Sequence, residues 1–170
     1  MKRILMVLTL LALARIAGAQ QPAGKSSVES QFEQLKALAG DWQATAIENG
    51  KEMTGLLTFR LASGGSVVMA DLAPGTAHEM ITMFHRDGED LLATHYCLIG
   101  NQPRLRAVAG VDPKAISFEF KDATNLPDRT APHMGGVRFT MIDANRHTEE
   151  WSVVANGQIM IRKLDCRRKP

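Results

Sequence analysis

Ala115-Ile116-Ser117-Phe118-Glu119-Phe120-Lys121 alternates apolar and polar side chains without a break after its first residue. In an extended chain successive side chains point to opposite faces, so Ile116, Phe118 and Phe120 share one face and Ser117, Glu119 and Lys121 the other. A helix would scatter both sets around its circumference. The stretch therefore reads as a strand with one face for a core and one for water. Trp151 and Val153 alternate with Glu150 and Ser152 in the same way.

The pattern recurs on both sides, punctuated by turn pairs: Asn49-Gly50, Gly64-Gly65, Asp87-Gly88, Gly100-Asn101, Asp112-Pro113 and Asn156-Gly157. Strands are expected at 41–48, 52–61, 66–72, 80–86, 91–99, 104–109, 115–121, 137–143, 147–155 and 159–165. The connections are too short for crossover helices, which makes an antiparallel meander. About ten consecutive strands must curl shut or leave two long edges open, so the fold class is all-β, an up-and-down barrel with an interior cavity. One longer connection, 122–136, holds His133 and Gly135-Gly136 and is placed to cover a barrel mouth. Ahead of the strands, Ser26 or Ser27 can cap one short N-terminal helix. It has Glu29 in its first turn, Val28, Phe32 and Leu35 on one face, and Gly40 as its stop.

Composition bounds the class of function. The 170 residues are 45% hydrophobic and 22% charged, which suits a single domain with a core and excludes collagen-like, coiled-coil and disordered chains. Met1-Lys2-Arg3, the apolar run Ile4 to Ala14 and the small residues Ala17-Gly18-Ala19 have the form of a cleavable signal peptide over 1–19. The apolar run is shorter than the roughly 18 residues that span a bilayer, so no stable membrane insertion is expected after cleavage. Residues 20–27 read as a flexible linker and 28–170 as a single barrel domain, periplasmic or secreted. Cleavage would remove three of the 20 basic residues and none of the 18 acidic ones, which turns a formal +2 into −1. With no basic surplus and few aromatics, nucleic acid is not an expected partner.

The helix running into Leu38-Ala39-Gly40-Asp41-Trp42 resembles the start of calycins, the superfamily of lipocalins, fatty-acid-binding proteins and nitrobindins. The resemblance implies that the Trp42 indole plugs one barrel end, with a late basic residue, Arg162, packing on it. It also implies an interior that holds a small molecule, and haem for nitrobindins. Thr94-His95-Tyr96-Cys97 and Gly100-Asn101-Gln102-Pro103-Arg104 look like segments of uncharacterised secreted bacterial proteins with such a barrel.

The hairpin around Gly100-Asn101 carries the most chemistry. A two-residue turn would pair Ile99 with Gln102, and His95, Cys97, Arg104 and Arg106 would share one face, Tyr96, Leu98, Leu105 and Ala107 the other. Ordinary patterning turns the apolar set inward. The opposite arrangement would aim Arg104 and Arg106 at a ligand carboxylate or phosphate. Trp42, His95, Tyr96, Arg104, Arg106 and His133 are the candidate ligand contacts for a small apolar or amphipathic molecule. His95, Cys97 and His133 are candidate ligands for zinc or haem, with His147 as a further option. Cys97 and Cys166 are expected as two unpaired thiols, a bridge between them being the alternative. The carboxylates Asp87, Glu89, Asp90, Glu149 and Glu150 are expected to be solvated. No catalytic residues are assigned, and an enzyme of unknown reaction is the third functional reading, after a binding barrel and a metal or haem protein.

Overall fold

A computed structural model describes residues 27–48 and 50–170, so the signal-peptide reading and nearly all of the linker lie outside the described residues. Helix α1 spans Ser27–Lys36, with Glu29 in its first turn and Lys36 in its last, where they suit the helix dipole. It buries Phe32 and Leu35. Ten strands follow: β1 (Gly40–Glu48), β2 (Lys51–Ala62), β3 (Val67–Leu72), β4 (Met80–Asp87), β5 (Asp90–Tyr96), β6 (Gln102–Val108), β7 (Ala115–Thr124), β8 (His133–Asp143), β9 (Arg146–Ala155) and β10 (Gln158–Arg168). Each pairs antiparallel with its sequence neighbours, and β1 also pairs with β10, which closes the barrel. Closure leaves no sheet edge to template aggregation.

The two ends of the barrel differ. At one end the chain leaves α1 and turns into β1 at Gly40, whose φ of +129° a side chain rarely adopts. A Cβ there would also meet Arg168 Nη1 at 2.8 Å. The fully buried Trp42 donates from Nε1 to Leu38 O at 2.7 Å. The Arg168 guanidinium lies over its ring at 4.2 Å and donates to Ala39 O, Ala37 O and Ala144 O. The basic residue on the tryptophan is therefore Arg168. Arg162, expected there, lies near the start of β10 and pairs with Glu48. Arg168 comes six positions after Arg162 along β10, so the two sit toward opposite ends of the barrel. Beneath the plug, Phe59, Phe84, Phe118 and Phe139 pack edge to face or tilted, with ring centroids 5.4 to 6.5 Å apart.

At the other end lie the connections 73–79, 97–101 and 125–132. The 122–136 connection contracts to 125–132, because β7 continues to Thr124 and β8 already begins at His133. Gly135 and Gly136 lie inside β8, where a Cβ on Gly136 would stand 2.5 Å from Phe118 O. They permit close approach of two strands, not a turn. The loop is tied down by Asn101 Nδ2 donating to Pro132 O at 2.8 Å and by Gly157 N donating to Thr130 O. No described helix is long and apolar enough to cross a membrane.

Candidate functional site

Between the aromatic core and this open end lies a cavity of about 540 Å³. That volume is in the range of small-molecule sites. Ala70, Leu72, Met80, Met134, Val153 and Leu164 supply much of its apolar wall. Polar groups are few: His95, His133, Glu149 and Thr82 within, with Cys97, His78 and the Arg162–Glu48 pair toward the rim.

His95 faces inward because β5 alternates, and Ala93, two residues before it, is buried opposite Leu105. Its Nδ1 meets Thr82 Oγ1 at 2.9 Å, and its ring leans on Trp151 with centroids 5.5 Å apart. Nε2 is buried with no hydrogen-bond partner. Burial disfavours the imidazolium and pushes the pKa down to about 4, so the ring is neutral at pH 7. His133, also buried, donates from Nδ1 to Ala131 O at 2.7 Å and rests on Phe120. The carbonyl acceptor fixes its tautomer.

Glu149 overturns the expectation of a solvated carboxylate, since its side chain is buried in the barrel wall. Oε2 accepts from Trp151 Nε1 at 2.7 Å, and Oε1 lies 3.1 Å from His147 Nε2. Its neighbour Glu150 does point outward, to Lys163. The signal was present in the sequence: Glu149 is in phase with Trp151 and Val153, the inward set of that strand.

The hairpin between β5 and β6 corrects the other site readings. Its loop runs over five residues, 97–101, closed by Cys97 N donating to Asn101 O and Gly100 N donating to Cys97 O. Arg104 therefore stands opposite Thr94 and Arg106 opposite Leu92, three residues from the register a two-residue turn would give. An odd shift exchanges faces. His95 is thereby parted from the arginines, which point outward. Arg104 pairs with Asp122 and Arg106 with Asp90, so neither reads a ligand in the barrel. Tyr96 is about half exposed on the same outer face. Trp42 belongs to the plug and does not line the cavity.

His95, Cys97 and His133 all line the cavity, yet among the described residues the trio of donor atoms that converges is a different one. His147, Glu149 and Cys166 place one donor atom each within 4.8 Å of one another. Cys166 is fully buried, and that burial, with Glu149 and Asp165 nearby, pushes its thiol pKa far up. Cys97 is half-buried at the rim, and the two thiols are unpaired.

Comparison of the chain with models of protein families, and with curated proteins, finds no match. Among solved structures it is similar to Rv2717c from M. tuberculosis, at 16% identity and a TM-score of 0.52, over 82% of this chain and 97% of that one. At that identity the likeness speaks for the fold alone.

Proposed function

We propose that this protein binds a small, mainly apolar molecule inside the barrel, with one uncharged hydrogen-bonding group met by His95. The observation that carries this reading is the unpartnered Nε2 of a neutral histidine in the wall of a 540 Å³ apolar cavity. An orphaned polar atom costs about 1–3 kcal/mol, which a ligand hydroxyl, carbonyl or amide would recover. An anionic head finds little support, since Arg162 is the only arginine or lysine among the described lining residues and Glu48 already pairs with it. The signal-like residues 1–19 favour a periplasmic or secreted site of action.

Native mass spectrometry of protein purified from its own host should show a retained small molecule. N-phenylnaphthylamine, a neutral apolar probe, should change Trp151 fluorescence as it fills the cavity. Long-chain alcohols should displace it, about tenfold less well from His95→Leu. No retained mass and no fluorescence response would remove the reading.

The same nitrogen supports a second reading, haem held through His95 Nε2, because a neutral imidazole at a pocket wall is a donor that haem iron accepts. The pairing of Arg162 leaves the propionates without a free arginine or lysine among the described lining residues. A Soret band lost in His95→Ala would establish haem, and a colourless protein after haem addition disposes of it.

A further inference from the structure

His147 and Cys166 are direct cross-strand partners on β9 and β10, and Glu149 follows His147 by two residues on the same face. The three residues are 1%, 2% and 0% exposed. Around them stand the rings of Trp42, Phe59 and Phe139, whose centroids lie 4.4, 5.8 and 6.4 Å from that of His147. Polar groups in so apolar a place ordinarily exhaust one another's hydrogen-bonding capacity. These do not: His147 Nδ1 is buried without a partner.

We propose that His147, Glu149 and Cys166 form a binding site for one divalent transition-metal cation of the zinc class, reached from the cavity. Imidazole nitrogen, carboxylate oxygen and thiolate sulfur are the three donor types zinc takes in proteins. Ligand atoms around one zinc ion stand roughly 3–4 Å apart. Donors already within 4.8 Å of one another can close on an ion by small side-chain rotations. The charge also balances: thiolate and carboxylate together neutralise a divalent cation, so the loaded site carries no net charge into the barrel interior. Cys166 gives its proton to solvent as the metal enters.

Glu149 can keep its contact with Trp151 when it ligates, because each carboxylate oxygen has two lone pairs. Trp151 Nε1 holds Oε2 at 2.7 Å and would orient the carboxylate as an outer-shell donor. Glu149 is also the one member of the trio in the cavity wall, so the site borders the space where a ligand would sit. The site is complete without that ligand and does not depend on the binding reading above.

The chain has two cysteines, half-buried Cys97 and fully buried Cys166, and this difference supplies the test. Reduced, metal-depleted protein is alkylated at Cys97 under native conditions, with single modification confirmed by mass, and then titrated with Co2+. The expected result is one equivalent bound, with a thiolate-to-cobalt charge-transfer band in the near ultraviolet that Zn2+ abolishes by displacement. Since alkylation leaves Cys166 as the one free thiol, the wild-type chain decides the matter even if Cys166→Ser fails to fold. A folded Cys166→Ser should lose the band. Absence of the band from alkylated protein overturns the proposal. So does a band present only before alkylation, which would put the metal on Cys97.

Discussion

A neutral histidine in the wall of an apolar cavity ties stability to pH. When the chain unfolds, the imidazole of His95 regains its ordinary value of 6.5, whereas in the fold it titrates at about 4. Between those values the unfolded chain takes up a proton that the folded one refuses, so acid favours unfolding. The contribution is fully present above pH 6.5 and is lost as pH falls toward 4. It amounts to about 3 kcal/mol for a shift of this size. Urea midpoints should fall across that window, and His95→Gln, which still offers Thr82 a partner, should remove most of the slope. Parallel slopes for the two proteins would count against a buried neutral His95. Asp165 acts lower on the scale: the Arg146 hydrogen bond holds its carboxyl below the ordinary 3.8, so its share is lost only in stronger acid. Position in the alternation, more than residue type, decides these environments. Glu149 is acidic and buried, Glu150 acidic and outward, and only the phase with Trp151 tells them apart.

Arg168 acts on whole elements, because its three donors reach Ala37 and Ala39 after α1 and Ala144 in the β8–β9 turn while its plane lies over Trp42. Arg168→Ala should cost about 2 kcal/mol in urea unfolding, allowing for partial exposure. Arg168→Lys should recover less than half, since an ammonium is neither planar nor forked. Full recovery with lysine would mean that charge alone matters. Between β7 and β8, Gly136→Ala should cost about 2 kcal/mol or more, against less for Gly135→Ala. The added carbon meets a backbone oxygen at 2.5 Å in one case and a movable Val154 methyl at 3.2 Å in the other. Equal urea midpoints for the two variants would argue against that close approach. These elements also show what the sequence could and could not convey. Period-two alternation located all ten strands, mostly within a residue or two of their ends. It could not reveal that Gly135-Gly136 lies within a strand, because the cause is a neighbour 18 residues away. The β5–β6 register was equally hidden: Gly100-Asn101 is a turn signal, but the loop length depends on which backbone groups around Cys97 and Asn101 find each other.

For the molecule as a whole, the barrel divides its work between a packed end and an open one, and the division predicts opposite responses to mutation. Phe139 lies fully buried among Phe59, Phe84, Phe118 and Trp151, so Phe139→Ala leaves a void and should cost about 3–5 kcal/mol. Ala70 stands in the cavity wall, between Phe59 and Thr82 on the adjacent strands. A phenyl ring there enters space that no side chain fills. Ala70→Phe should therefore change stability by no more than about 1 kcal/mol, the gain in buried apolar area offsetting any crowding. It should also weaken N-phenylnaphthylamine binding at least tenfold, because probe and ring compete for the same volume. A barrel whose interior served only as core would respond the other way, losing several kcal/mol to the intruding ring. Urea unfolding and probe titration on the two variants separate these cases. Stability kept and binding lost at Ala70 is what a cavity maintained for a ligand requires, since natural chains give up packing where function needs space.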